Sequence, residues 1–264
     1  MDKLTEIMVA KRREIESRIR PIRERELSRL GEIERAGLGF AESLRKGPGL
    51  SVIAEIKRKS PSAGKIAELP DPTDQARKYY NAQVNAISVL TDEPYFGGTI
   101  KDLWSVHDLL GSRADSPPLL RKDFFVHPIQ IVEAAEAGAR AILIIVRALN
   151  EDEMKCLFES ASIAGLESLF EIHDEWELET ALKLGAQIIG VNNRDLKRFC
   201  TDLERSERII PQIPSELVRI SESGIWTLED AARVYRAGAN AALIGEALMK
   251  SKDVDAFVAD LHSL

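Results

Sequence analysis

Several short apolar runs in this sequence end in a residue that can hold a substrate or move a proton. SVIAEIK ends in Glu55 and Lys57, LLRKDFF carries Lys122, and SLFEIHD carries Glu171. IGVNNRD carries Asn192, ISESGI carries Glu222 and Ser223, and LIGEAL carries Gly245. A lone charge of this kind is most often half of a structural ion pair. Recurrence at the same end of most runs asks for more than that. Two lysines and three glutamates converging on one site would shift one another's pKa values, as general acid and base chemistry needs.

The elements that would position them alternate. β-branched and apolar runs fall near 51–57, 85–90, 119–122, 139–146, 167–172, 187–191, 217–221 and 240–244. Amphipathic stretches at helical spacing fall at 73–83, 99–110, 128–137, 151–164, 175–184, 202–210, 227–236 and 253–261. Thr73, Asp174 and Thr227 read as helix starts, and Gly138, Gly165, Gly185 and Gly238 as helix ends. AEAGARAILIIV, LKLGAQIIGV and YRAGANAALIG repeat one joint, a helix end followed by a buried strand. Eight strands alternating with eight helices predict an α/β protein, a single (β/α)8 TIM barrel. An open doubly wound sheet is the competing architecture, but no G-x-G-x-x-G follows the first strand. In the first run, Val52, Ala54 and Ile56 alternate with Ile53, Glu55 and Lys57. Taken alone it could equally be a half-exposed edge strand.

Barrel chemistry sits at the C-terminal ends of the strands, which is where these polar residues fall. Gly224 and Gly245, each expected to precede a helical start, suggest backbone N–H groups open to a phosphate. The plainer alternative is a tight turn at each. Glu246 would contribute its backbone N–H and turn its carboxylate away from the anion. Phe96 and Phe124, with Tyr95, Leu90, Leu143 and Leu196, could line an apolar wall or simply pack. The loop Lys59–Glu68 could close over the mouth. His173 reads as a supporting or core histidine.

Residues 1–47 form a separate charged stretch, with 12 Lys and Arg against 9 Asp and Glu, a net of +3. Leu4, Ile7, Met8, Ile15, Ile19 and Ile22 mark one apolar stripe, which Pro21 should interrupt. We expect 1–47 to dock as a helical extension on a catalytic barrel spanning 48–264.

The whole chain of 264 residues has 44% hydrophobic residues, enough for one large core. A net charge of -7 argues against a nucleic-acid or anionic-membrane binder. No apolar run approaches a membrane span, and the first residues lack the apolar run of a secretory signal. Cys156 and Cys200 are isolated and the four histidines scattered, so no metal site is expected and a reduced cytoplasmic setting is. A monomer or weak homo-oligomer is expected.

AEIKRKSPSAG, SVLTDEPYFGG, LLRKDFFV, FEIHD, GVNNRDL, SESGI and LIGEALM resemble, in order and spacing, indole-3-glycerol phosphate synthase over about residues 50–250. The resemblance implies a lyase of tryptophan biosynthesis that needs no metal or organic cofactor. Its substrate is 1-(2-carboxyphenylamino)-1-deoxyribulose 5-phosphate, and its products are indole-3-glycerol phosphate, CO2 and water. Carried over by motif, Lys122 is the acid at the substrate ketone and Lys57 the partner of its carboxylate. Glu171 is the acid or base of dehydration. Glu55, Asn192 and Glu222 orient these groups. Ser60, Ser223, Gly224 and Gly245 contact substrate and phosphate. Another phosphosugar isomerase or epimerase on the same fold is the alternative. It would keep Gly224 and Gly245 without needing the four catalytic charges together. One position departs from the family pattern: Ser221 stands where alanine is more usual, and should face the outer layer.

Overall fold

The first strand, β1 (Ser51–Ile56), is buried along its whole length, so it is not an edge. Seven more follow: β2 (Ala86–Leu90), β3 (Leu119–Lys122), β4 (Ala141–Ile145), β5 (Glu167–Ile172), β6 (Ile188–Asn192), β7 (Val218–Glu222) and β8 (Ala241–Ile244). All eight are parallel, each beside its neighbour in sequence, and β1 pairs with both β2 and β8 to close the barrel. Closure explains the near-continuous apolar runs, because both faces of each strand are covered. The computed structural model describes residues 2–264 apart from 48, 61–63, 66–70, 112 and 195–200.

Helices form the outer ring: α4 (Pro72–Asn81), α6 (Ile100–Leu110), α7 (Ile129–Glu136), α8 (Glu151–Ile163), α9 (Glu175–Lys183), α10 (Glu204–Ile209), α11 (Leu228–Arg236) and α13 (Val254–His262). Two shorter ones, α5 (Glu93–Phe96) and α12 (Glu246–Lys250), sit in the loops after β2 and β8. Asp174 and Thr227 cap α9 and α11 as expected. The cap of α4 is Asp71 rather than Thr73, with Pro72 in the first helical position. Gly138, Gly165, Gly185 and Gly238 all end their helices with left-handed backbone.

The N-terminal segment runs from one end of the barrel to the other. Helix α1 (Lys3–Ile15) buries Leu4, Ile7, Met8 and Ile15. It ends before Pro21 and Ile19 is exposed, while Ile22 beyond the proline packs partly buried against the core, so the apolar stripe is interrupted at Ile19. A residue preceding proline disfavours helical backbone, which releases the chain there. Helix α2 (Glu24–Gly31) then packs on α7 and α8. Helix α3 (Phe40–Arg45) lies at the N-terminal ends of the strands, with Phe40 and Leu44 buried. Glu167, the first residue of β5, accepts the backbone N–H groups of Phe40 and Ala41, the latter at 2.9 Å. Its charge suits the positive end of α3.

Candidate active site

Strand register decides which side chains meet at the C-terminal mouth. Asn192 pairs in register with Glu222, Leu90 with Lys122, and Ile145 with Glu171. Alternation then turns Glu55, Lys122, Glu171, Asn192 and Glu222 inward, and all five line one pocket with Lys57. The outward residues do different work. Ser221 is buried outside the barrel wall, within hydrogen-bonding distance of Ser206 and accepting from Asn193.

Lys122 occupies the centre. Its Nζ lies 3.3 Å from Oε2 of Glu171 and bonds Oε2 of Glu222 at short range. Both carboxylates are buried. Burial opposes the Lys122 ammonium, but the negative charges of Glu222, Glu171 and Glu55 outweigh it and hold its pKa above the ordinary value. In the unliganded mouth the carboxylates therefore retain the lysine proton. Glu171 is also opposed by burial, yet Lys122, His173 and a hydrogen bond from Asn192 hold its pKa low. Glu222 is pushed up to about 7 by burial and by its neighbours Glu171 and Glu55, against the pull of Lys122. Two adjacent carboxylates thus have opposite tendencies, the pattern that separates acid from base.

Behind Lys122, the strand end is pinned. Thr91 donates its N–H to the Lys122 carbonyl at 3.0 Å and its hydroxyl to Asp123 at 2.7 Å. Arg121 bonds Asp123 at 2.8 Å, and Lys11 of α1 reaches Asp92 at 2.8 Å and Asp123 at 3.0 Å. This buried network fixes α1 over the mouth, where Lys3, Leu4 and Ile7 line the pocket.

At β1, Lys57 pairs with Glu55 at 2.5 Å. This pair supplies one reason for Gly245: a Cβ there would come within 2.5 Å of Glu55 Oε1 and 3.1 Å of Lys57 Nζ. Gly245 leads directly into α12. Gly224 does not lead into a helix, contrary to expectation. Three residues separate it from α11, and its φ of +84° makes it a turn glycine. Ser223 is also left-handed at φ +68°, a costly backbone for a residue with a side chain. Glu246 does not turn away. The residue lines the pocket, and its carboxylate lies 3.9 Å from Arg194, which also lines it, and 3.6 Å from Lys250.

The apolar side holds Leu90, Phe96, Phe124 and Leu143, with the two rings 6.0 Å apart. Tyr95 is not part of it, because its hydroxyl donates to Glu6 and its ring lies under Lys3. Leu196 lies outside the described residues. Ser60 lines the pocket from a two-residue ribbon in which Lys59–Ser60 pairs with Gly64–Lys65. Among the described residues no group of three or more His, Cys, Asp or Glu could hold a metal ion.

Sequence reasoning missed Arg194 and the α1 residues as pocket lining. Arg194 was visible inside the NNRD motif. The α1 stripe announced burial without naming the surface that covers it. Trp226 was not signalled at all, yet it lines the rim with Lys250 over its ring.

The family model described as indole-3-glycerol phosphate synthase matches residues 4–261. Indole-3-glycerol phosphate synthase of Opitutus terrae is 52% identical over 263 residues, covering 99% of each chain. That of Desulfosudis oleivorans is 41% identical, covering 98% of each chain. Among solved structures, thiamine phosphate pyrophosphorylase from Pyrococcus furiosus superposes with a TM-score of 0.61 at 15% identity, over 81% of this chain and 94% of that one, a likeness of fold alone. With the motifs, the barrel and the charged mouth in one chain, this protein belongs to the indole-3-glycerol phosphate synthase family.

Proposed function

We propose that the mouth carries out the family's carboxy-lyase reaction with Lys122 as its central acid. The reaction converts 1-(2-carboxyphenylamino)-1-deoxyribulose 5-phosphate into indole-3-glycerol phosphate, CO2 and water, a step of tryptophan biosynthesis. The observation that carries this reading is Lys122 held between Glu171 and Glu222 at the base of a half-apolar pocket.

The substrate's aromatic ring fits the wall of Leu90, Phe96, Phe124 and Leu143. Its phosphate fits the backbone at Ser223, Gly224, Gly245 and Glu246. Its carboxylate then meets Lys57, which Glu55 holds in place, and Ser60 closes the near side. Arg194 and Lys250 flank the Glu246 carboxylate and offset its repulsion of the phosphate.

Ring closure begins when the arene carbon attacks the ketone and Lys122 protonates the ketone oxygen. Protonation of Glu222 near neutrality removes one charge beside Lys122 and makes it a better donor. Decarboxylation follows closure, when the adjacent iminium carbon accepts the electrons. The Lys57 contact serves geometry here, since pairing stabilises the charged ground state. Dehydration needs one base and one acid. Glu171 and Lys122 supply them, with Asn192 orienting Glu171.

Cytoplasmic location belongs to the same reading, because a substrate bearing both carboxylate and phosphate does not cross a membrane unaided. Among the described residues no helix is long and apolar enough to span one. The apolar face of α1 is buried on its own barrel, which supports a monomer or weak homo-oligomer. Supplying the carboxyphenylamino ketose phosphate tests the activity. Indole absorbance and CO2 should rise together; a folded protein that yields neither overturns the reading.

A further inference from the structure

Behind Glu171 lies a buried titratable group that the scheme above does not use. His173 stands two residues beyond Glu171, and its ring is fully buried. Its backbone N–H donates to Oε2 of Glu177 at 2.8 Å, and its Nδ1 lies 3.3 Å from the same oxygen. Glu177 is buried in the first turn of α9, and its other oxygen accepts from Arg147 Nε at 2.6 Å. An arginine-paired carboxylate only accepts. Nδ1 therefore carries its hydrogen towards Glu177.

That assignment leaves Nε2 with no hydrogen-bond partner, 3.7 Å from Oε1 of Glu171. The other oxygen of Glu171 faces Lys122. In a neutral ring, a buried lone pair would confront a carboxylate oxygen, which is costly. A proton on either atom, with Nε2 and Oε1 drawn from 3.7 Å into hydrogen-bond reach, removes the conflict.

We propose that His173 and Glu171 share one proton, so that His173 is the positioning residue and proton store for Glu171 in the dehydration. The inference rests on the reading that Glu171 works at that step. When Glu171 takes a proton from substrate carbon at Oε2, the shared proton moves onto Nε2. The ring is then an imidazolium between the Glu177 carboxylate and the newly protonated, neutral Glu171. Lys122 protonates the departing hydroxyl, which leaves as water, and recovers its proton from Oε2 of Glu171 at 3.3 Å, whereupon the shared proton moves back. Protons balance over the cycle, and no other reactant is needed. The groups facing this pair are Lys122 of β3, Asn192 of β6, Glu222 of β7, Glu177 and Asp174 at the start of α9, and Arg147 after β4. The Lys122 and Arg147 charges offset those of the carboxylates around the pair.

The test is the pH profile of kcat and KM for full-length His173→Gln and His173→Phe beside wild type. We expect kcat to fall about tenfold or more with KM little changed. We also expect the pH limb of kcat that Glu171 sets to shift by about one unit. An unaltered profile overturns the proposal, whatever the loss in kcat, because a packing role would not move it. Should the variants not fold, [15N]histidine spectra decide. In Glu171→Gln the Nε2 resonance of His173 should move while its Nδ1 resonance stays. An unmoved Nε2 resonance overturns the proposal. Wild-type turnover by Glu171→Gln overturns the role of Glu171, and this inference with it. An inactive Glu171→Gln beside unaltered His173 variants overturns this inference alone.

Discussion

Glu222 shows how one residue ties the chemistry to stability. Its carboxyl ionises near 7 in the folded chain, against 4.5 when free of its neighbours. The folded state therefore holds this proton more tightly than the unfolded one. The stability it contributes is complete below about pH 4.5 and is lost as pH rises through 7. Glu222→Gln removes that loss. Between pH 5 and pH 8 the variant should gain on wild type by up to about 3 kcal/mol, read from urea unfolding at both pH values. Parallel pH dependence in the two proteins would show that Glu222 titrates normally. Such a cost at a working site is the usual exchange of stability for activity. The residue types at the mouth were legible from sequence because each closes an apolar run. Their protonation tendencies were not, because those depend on neighbours brought from other strands. At Lys122 burial alone would lower the pKa, yet the three carboxylates around it together outweigh it.

At the scale of elements, small residues make room for charged ones. A Cβ on Gly190 of β6 would overlap Glu222 Oε1 and come within 3.1 Å of Leu169. Gly190→Ala should displace the Glu222 carboxylate from Lys122. We expect a stability loss of about 1–3 kcal/mol and a clear fall in kcat. Wild-type kcat would mean that Glu222 need not sit where it does. Lys11 makes the corresponding case for α1. Lys11→Met would leave Asp92 and Asp123 buried without this cation, a loss of about 3–5 kcal/mol by denaturant unfolding. A loss under about 1 kcal/mol would assign the hold on α1 to its apolar contacts instead. The eight strands were legible to within two residues, since runs buried on both faces resemble little else. The end of α1 and the destination of its stripe were not. Spacing reports that a face is buried, but not what covers it. Tyr95 illustrates the same limit. Its neighbour Phe96 faces the pocket, while Tyr95 turns to Glu6 and Lys3 of a helix some ninety residues earlier.

Over the whole molecule, the N-terminal segment links the two ends of the barrel. Helix α1 adds to the mouth, α2 runs along the outer wall, and α3 lies at the opposite end. Pocket shape and barrel integrity are thereby coupled through one chain segment. Lys122 stands at the centre of that pocket, and its role as acid is the claim on which the rest depends. The most direct test is a continuous fluorescence assay of indole formation with wild type beside Lys122→Ala, joined to the affinity of each for a phosphorylated substrate analogue. The account predicts that turnover disappears while affinity stays within about tenfold, or 1.4 kcal/mol. Near-wild-type turnover by Lys122→Ala would contradict it and move the proton donor elsewhere, with Lys57 next in line.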